Sequence, residues 1–442
     1  MAVLDYMLQQ NWLWPLVCAV VIVAVLPLLA GYVVLMERKV MADMQARLGP
    51  MRVGPHGLLQ PIADALKLLI KEDIIPQKAD TVIFWLAPLL SVTAAMLAYS
   101  ALAFGPAFQI AELNIGLLFI VAVSAMGVYG IVLGGWASNS HYSLLGALRS
   151  TAQVISYETA AGMALISGVM LAGSLSTRQI MDAQTSAGFW FVLLNPIGFF
   201  IYLVASIAET NRAPFDMPEA ESELVAGYMT EYSGFRWAIY FLAEYANMIV
   251  VAGIATTLFL GGWARPFASI AALNFLDYIP GVVLLGVAGY CFYRAPKQPV
   301  AAQKITLALF GGLCLLLAVI LSGAAAAPQQ YQAAREGILG GAWFLAKVGA
   351  YLYSFMWFRF TFPRFRFDQL MKLGWYFLIP LSIVNVIAIG GGLILEKEMG
   401  WGRFMALLPA NVFTLAVAWF LVRNSLAQEK TVAAGLAGEA EG

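Results

Sequence analysis

The sequence predicts an all-α, polytopic integral membrane protein with about 11 transmembrane helices. Of its 442 residues, 61% are hydrophobic and only 11% are charged, whereas soluble domains carry about 25% charged residues. The apolar residues also fall into separate runs of about 20, the length that crosses a bilayer as a helix. Helices are expected because backbone polar groups inside a membrane must pair within their own segment.

The predicted spans are apolar runs separated by polar or basic segments. They cover residues 12–36, 81–104, 115–137, 151–173, 188–208, 237–263, 276–294, 305–327, 338–358, 375–395 and 404–422. The first run is too long for a signal-peptide core and lacks a preceding basic residue, so it is interpreted as a retained helix. The seventh run is short and glycine-rich, which makes it the weakest of the set.

Lysine and arginine predict the orientation of these spans. With the N-terminus outside, the inner segments hold 19 basic residues and the outer segments hold 5. Cytoplasmic loops carry the excess of Lys and Arg, so the N-terminus is predicted outside and the C-terminus inside. Omitting the seventh span would place the basic segment 359–372 outside, which favours the odd count.

Three inner loops, 37–80, 209–236 and 359–374, are long or rich in charge. The first contains an apolar stripe that predicts an amphipathic helix at the inner membrane interface. The stripe consists of Leu58, Leu59, Ile62, Leu66, Leu69 and Ile70. The tail after Gln428 is rich in Ala, Gly and Glu and is predicted to be disordered.

Composition and motifs argue against several classes of function. The zero net charge makes nucleic acid an unlikely partner. Three cysteines lie far apart without a CxxC pair, which leaves an iron–sulfur or zinc site unsupported. His56 and His141 are the only histidines, too few for paired haem ligation on membrane helices, and no phosphate loop or Rossmann fingerprint is present. If the chain takes part in redox chemistry, the electron carriers are elsewhere.

Carboxylates next to apolar runs are the most informative feature. The segment ETNRAPFDMPEAESELVAGYMTEYSGFR and the helix after it hold seven, namely Glu209, Asp216, Glu219, Glu221, Glu223, Glu231 and Glu244. Glu158 and Glu244 fall about two turns inside predicted spans. A charge at a helix centre costs roughly 2.5–3.5 kcal/mol, so such residues persist where they pair or transfer protons. The alternative is a structural ion pair or a protonated carboxyl that bridges two helices.

A helix start is predicted at Asp216-Met-Pro218-Glu219, because an acidic cap precedes a proline in the first turn. Three glutamates would then crowd that turn. Interaction with the helix dipole explains one or two of them, and repulsion among three favours proton uptake.

Four inner segments resemble one family closely. They are MERKVMADMQARLGPMRVGPHGLLQPIADALKLLIKED (36–73), RSTAQVISYE (149–158), ETNRAPFDMPEAESELVAGYMTEYSG (209–234) with FLAEY (241–245), and RFTFPRFRFDQLMKLGW (359–375). In this order they are similar to the H subunits of bacterial respiratory complex I, a NADH:quinone oxidoreductase, which are the counterparts of the mitochondrially encoded subunit 1. The resemblance covers most of residues 10–395.

The resemblance implies a quinone-tunnel and coupling subunit of a translocase in the cell inner membrane. Such a chain has no redox centre. Quinone is the substrate, and FMN, NADH and iron–sulfur clusters belong to partner subunits of the hydrophilic and membrane arms. The runner-up is the matching subunit of a membrane-bound hydrogenase or related dehydrogenase complex.

Candidate site residues follow from the matched motifs. The quinone tunnel is assigned Arg38, Gln60, Asp64, Lys67, Arg212, Phe215 and Arg236. The proton path is assigned Glu37, Glu158, Glu209, Asp216, Glu219, Glu221, Glu223, Glu231 and Glu244. Docking to the hydrophilic arm is assigned Arg364, Arg366 and Asp368. Lys347, inside the span 338–358, either joins a charged axis or reaches outward to the membrane surface.

The chain departs from the family core of eight helices by an extra pair and a C-terminal ninth helix. The predicted division is a core at 1–269, an inserted pair at 270–335, last core helices at 336–396, an extra helix at 397–427 and a tail at 428–442. The inserted spans carry no internal charge, so we expect them to pack peripherally against lipid or a neighbouring subunit.

Two other classes are open on the residues alone. A secondary transporter would show internal repeats, and none is found in the sequence. A plain structural anchor leaves Glu158 and Glu244 unexplained.

Overall fold

A computed structural model describes residues 13–105, 109–216, 226–267, 270–298, 300–326 and 332–440. Helices account for its regular structure, and these ranges contain no strand. The α-helices are α1 Leu13–Met44, α2 Gln60–Ile70, α3 Thr81–Ala98, α4 Gly116–Ala137, α5 His141–Ala172, α6 Thr177–Ala187, α7 Phe191–Leu194, α8 Pro196–Glu209, α9 Gly234–Leu258, α10 Ile279–Arg294, α11 Ala301–Ala326, α12 Gln332–Thr361, α13 Phe367–Lys372, α14 Ile379–Met399 and α15 Arg403–Ala440.

Ten helical segments of the described residues are long and apolar enough to cross a membrane. The polytopic all-α fold is therefore confirmed. The predicted span 188–208 takes a different form, because it is divided into α7 and the 14-residue α8. Pro196 has no backbone N–H to continue α7, and the Asn195 side chain accepts the N–H of Gly198 at 2.9 Å, which starts a new helix.

Local sequence signals set several helix ends. Asp80 caps α3 by accepting the backbone N–H groups of Val82 and Ile83 at 3.1 and 3.3 Å. Helix α5 ends at Gly173, whose φ of 71° is a left-handed conformation that glycine adopts without steric cost. These ends fix the depth at which α3 and α5 present their side chains.

The centre of the molecule is α9, in which every residue from Met248 to Leu258 is buried. It packs against α1, α3 and α12, while α5 packs against α4, α8 and α14. Glu244 on α9 and Glu158 on α5 are thereby carried into the interior of the helical bundle.

The inserted pair forms two helices, α10 and α11, which pack on each other. The side chains of Val282 and Leu309 are 60% and 69% exposed, so these helices present apolar outer faces. The α11 helix contacts α12 and the turn Pro55–Gly57. Just before α10, Asp277 pairs with Arg335 at 2.8 Å and Arg265 at 3.6 Å.

Two further sequence predictions concern the C-terminal tail and a helix start at 216–219. The last helix runs to Ala440, whereas the composition predicts a disordered tail from 428; the alanine content that suggests disorder also has high helix propensity. The predicted helix start at 216–219 lies mostly in 217–225, outside the described residues, and the next described element is a 3₁₀ turn at Gly227–Met229.

Candidate functional site

An apolar groove of about 340 Å³ lies between α1, α2 and α9. Its walls include Val34 and Leu35 of α1, Leu68 of α2, and Phe241 and Leu242 of α9. Four predicted tunnel residues, Arg38, Gln60, Asp64 and Lys67, also line it. An apolar channel with a few polar groups suits an amphipathic ligand with a long hydrocarbon tail.

The polar residues of the groove are ordered by one another. Arg38 donates to Asp64 at 2.7 Å, and the Gln60 amide donates to the other oxygen of the same carboxylate at 3.0 Å. The α2 helix has no buried residue, and its apolar side chains Leu66 and Leu69 are 53% and 58% exposed. This exposed stripe has the form of the predicted interfacial helix.

Glu37 lies next to the groove and is 5% exposed. The hydroxyl of Tyr245, which also lines the groove, donates to its carboxylate at 2.5 Å. The guanidinium of Arg359 pairs with the other carboxylate oxygen. A buried carboxylate needs such partners because burial removes its hydration.

Tyr245 connects the groove with the interior. The guanidinium of Arg212 lies over its ring, 4.2 Å from the centroid, which is a cation–π contact. Arg212 also pairs with Glu244 at 3.6 Å, and the Tyr228 hydroxyl donates to Glu244 at 3.0 Å. These contacts form one series of side chains, in the order Arg359, Glu37, Tyr245, Arg212, Glu244 and Tyr228.

A small cavity of about 60 Å³ lies at the end of this series that holds Glu244 and Tyr228. Glu158 of α5, Glu209 at the end of α8 and Glu244 of α9 all line it, together with Asn211 and Tyr228. Three carboxyl groups from three helices around one polar cavity can hold and pass protons with water. Glu158, Glu209 and Glu244, all assigned to the proton path from the sequence, thus line the same cavity.

Buried amides hold the backbone beside the cavity. The Gln153 amide donates to the carbonyls of Ala208 at 2.8 Å and Phe215 at 2.7 Å. The same amide and the Ser150 hydroxyl both donate to the side-chain oxygen of Asn211. This network fixes the chain on both sides of Arg212.

The loop 359–374 contacts the first residues of the loop 209–236. The Phe365 ring stacks on Phe215 at 5.5 Å, and its backbone N–H donates to the Pro214 carbonyl at 3.2 Å. Arg364 donates to the backbone carbonyl of Asp216. Of the three predicted docking residues, Arg364 thus forms an intramolecular hydrogen bond. Arg366 and Asp368 are exposed around the start of α13.

The predicted tunnel set does not form one site. Arg212 does not line the groove but lies over the ring of Tyr245, which does, and Phe215 packs between Tyr157 and Phe365. Arg236 is 1% exposed and lies among the rings of Phe84 and Trp85. Its Nε donates to Asp73 at 2.9 Å.

The proton-path set is also divided. Glu37, Glu158, Glu209 and Glu244 belong to the series and cavity described above. Glu231 lines a separate open pocket with Lys78 and His141. Glu219, Glu221 and Glu223 lie outside the described residues.

Lys347 takes neither position that the sequence suggested. Its ammonium donates to the carbonyls of Leu260 at 2.6 Å, Gly262 at 2.8 Å and Ala264 at 2.6 Å, just beyond the C-terminus of α9. A cation at this place complements the helix dipole.

His56 is held by its backbone, because the Lys39 ammonium donates to its carbonyl at 2.7 Å. Burial, with the Lys39 charge, lowers the pKa of the His56 imidazole. No group of three potential metal-ligating side chains occurs in the part of the chain that the structure describes.

Sequence reasoning missed Tyr245, Arg359 and Tyr228, which complete the series. Tyr245 ends the quoted segment FLAEY, one residue after Glu244, and Arg359 begins RFTFPRF. Arg359 and Tyr228 do not adjoin a span carboxylate in the sequence, and a tyrosine such as Tyr245 is ordinary near a membrane surface, so no local signal identifies the three.

A family model described as NADH dehydrogenase matches residues 16–390. The chain belongs to the NADH dehydrogenase family. This match contains the groove, the Glu37 pairs and the cavity, and it ends before α15.

Relatives of the chain match most of its length and most of their own. The second of two H subunits of NADH-quinone oxidoreductase from Solibacter usitatus is 51% identical over 392 residues, which are 87% of this chain and 97% of the relative. The first H subunit of NADH-quinone oxidoreductase from Koribacter versatilis is 46% identical over 84% of this chain and 89% of its own. The NADH-quinone oxidoreductase H subunit from Magnetococcus marinus is 41% identical over 86% and 92%, respectively.

Proposed function

We propose that this chain is the membrane subunit of a NADH:quinone oxidoreductase that admits quinone and couples its reduction to ion translocation. The groove between α1, α2 and α9 takes the isoprenoid tail. The cavity lined by Glu158, Glu209 and Glu244 begins the proton path.

One observation carries the proposal: the groove and the glutamate cavity are joined by side chains in contact. Tyr245 lines the groove, bonds to Glu37 and faces Arg212, and Arg212 pairs with Glu244 in the cavity. A change of charge beside Tyr245 therefore acts on Glu244 through two short contacts in a low-dielectric interior.

The electron carriers of the complex belong to partner subunits. NADH, FMN and iron–sulfur clusters are held by other subunits of the same complex, which include a hydrophilic arm seated on the inner loops. Arg366 and Asp368 remain available for that docking. The N-terminus lies outside and the C-terminus inside the cell inner membrane.

Narrowing the groove tests the quinone assignment. Ala65 lines the groove and is exposed within it, so Ala65→Trp fills space that the quinone tail would occupy. We expect the KM for a long-tailed quinone to rise by about tenfold, which is the effect of about 1.4 kcal/mol of lost contact, while a short-tailed analogue is affected much less. Steady-state kinetics of the purified complex with both quinones measure this difference.

Leu66→Trp is the matched control, because Leu66 is on the same helix but does not line the groove. It should leave both KM values unchanged. An equal response of long- and short-tailed quinones to Ala65→Trp would contradict the assignment.

A further inference from the structure

The inserted pair presents a basic and aromatic edge that the proposed function does not use. We call it the basic rim, and it consists of Tyr290, Tyr293, Arg294, Lys297 and Lys304. All five side chains are exposed. They lie where α10 ends and α11 begins.

The cations of the basic rim are supported by its tyrosines. Arg294 donates to the Tyr290 hydroxyl at 3.1 Å, and its guanidinium lies 5.6 Å from that ring centroid. The Lys297 ammonium lies 3.5 Å from the centroid of the Tyr293 ring. Tyrosine at this position is typical of a membrane–water interface, where its ring is apolar and its hydroxyl is hydrated.

The charge of the basic rim is not neutralised within the chain. No aspartate or glutamate occurs between residues 278 and 335. Arg294, Lys297 and Lys304 form no ion pair among the described residues. Three positive charges of the basic rim are therefore exposed without a carboxylate partner among the described residues.

Apolar surface continues from the basic rim along both helices. Val282 and Val283 are 60% and 57% exposed, and Leu309 and Leu316 are 69% and 56% exposed. A side chain at Gly286 or Gly289 would meet no atom within 4 Å, which leaves this surface open. Cations at the edge of an open apolar surface match a phosphate head with acyl chains attached.

The basic rim lies on the same side of the membrane as the charged loops. Helix α11 contacts the turn Pro55–Gly57, which belongs to the first of those loops and precedes α2. Membrane surfaces on the basic side of a protein carry anionic lipid that attracts such clusters.

We propose that the basic rim binds the phosphate headgroup of an anionic glycerophospholipid, whose acyl chains lie along α10 and α11. The bound lipid is then a neighbour of the turn that precedes α2. The inserted pair thus acts as a lipid-binding element added to the family core.

Photolabelling of the intact complex tests this proposal. The complex is placed in phosphatidylcholine nanodiscs with a small fraction of photoactivatable phosphatidylglycerol, and label is counted on peptides from 279–326. Wild-type peptides should be labelled strongly. The triple variant Arg294→Gln/Lys297→Gln/Lys304→Gln should bind less, by about fivefold for each charge removed.

Two control variants make the result specific. Arg294→Lys/Lys297→Arg/Lys304→Arg keeps the charges and should retain the label. Arg423→Gln removes an exposed cation beside Trp419 on α15 and should leave labelling of 279–326 unchanged.

Three outcomes would overturn the proposal. One is equal labelling of the wild type and the neutral triple variant. Another is equal labelling by a photoactivatable phosphatidylcholine, which would show a lipid contact without headgroup recognition. The third is crosslinking of 279–326 to another subunit instead of lipid, which would show a protein-covered face.

Discussion

At the scale of single residues, two arginines of the same loop have different surroundings. Arg212 stacks on Tyr245 and pairs with Glu244, whereas Arg236 lies between aromatic rings and pairs with Asp73. The resemblance predicted the same tunnel role for both, as hydrogen-bond donors to a quinone headgroup. Their partners come from distant parts of the chain, with Asp73 163 residues before Arg236.

Replacing Arg236 should therefore affect stability and not quinone binding. Arg236→Met leaves Asp73 without its guanidinium, at a cost of about 2 kcal/mol. We expect a shorter activity half-life of the purified complex on heating, with an unchanged KM for quinone. Arg38→Met, in the groove, should show the opposite pattern, and a raised KM in Arg236→Met would contradict the structural role.

The residues of the series from Arg359 to Tyr228 show how far sequence reasoning reaches. Glu37, Glu158 and Glu244 could be predicted because a carboxylate inside or beside an apolar run is costly and therefore conspicuous. Tyr245 and Arg359 could not, since a tyrosine near a membrane surface is ordinary. The bond between Tyr245 and Glu37 joins residues 208 positions apart.

At the scale of elements, the loops 209–236 and 359–374 are in contact beside the cavity. Phe365 stacks on Phe215, and the backbone N–H of Phe365 bonds to Pro214. This contact holds the segment that carries Arg212. A partner docked on Arg366 and Asp368 would act close to the same contact.

Removing the Phe365 ring should loosen the segment 209–216. An aromatic pair contributes about 0.5–1.5 kcal/mol, so Phe365→Ala should speed local hydrogen exchange there by roughly 2- to 10-fold. Phe362→Ala is the control, because Phe362 packs on Phe358 instead. Hydrogen exchange measured by mass spectrometry distinguishes them, and equal exchange in the two variants would contradict the role of the stack.

Element positions were largely predictable, since length and apolar composition are local properties of a segment. An interruption within a predicted span was harder to predict. The run 188–208 is apolar throughout, and its division at Asn195 and Pro196 depends on a side-chain cap as well as on the proline.

At the scale of the whole molecule, the inserted pair α10 and α11 is separate from the helices that form the groove and the glutamate cavity. Neither the groove nor the glutamate cavity is lined by α10 or α11. Asp277, just before the pair, forms ion pairs with Arg265 and Arg335. The resemblance suggested this separation, and the residue bounds 270–335 remain a prediction.

Deleting 270–335 together with Arg265→Gln should leave the core functional. Two spans are removed, so the orientation of α12 and later helices is kept. We expect NADH:quinone activity to fall by no more than about threefold, because distant sites act independently. Deleting 300–335 alone removes one span and should abolish assembly; assembly and activity in that control would contradict the predicted topology.

The most direct test of the coupling path is Glu244→Gln in the purified and reconstituted complex. Glutamine keeps the shape of the side chain but cannot carry a proton between its two states. Glu112→Gln, at an exposed carboxylate that pairs with Arg178 at 3.6 Å, is the control and should retain both activities. Quinone reduction and ion pumping, measured together, should both be lost in Glu244→Gln with normal assembly. Full activity in both would contradict a path that begins in the glutamate cavity.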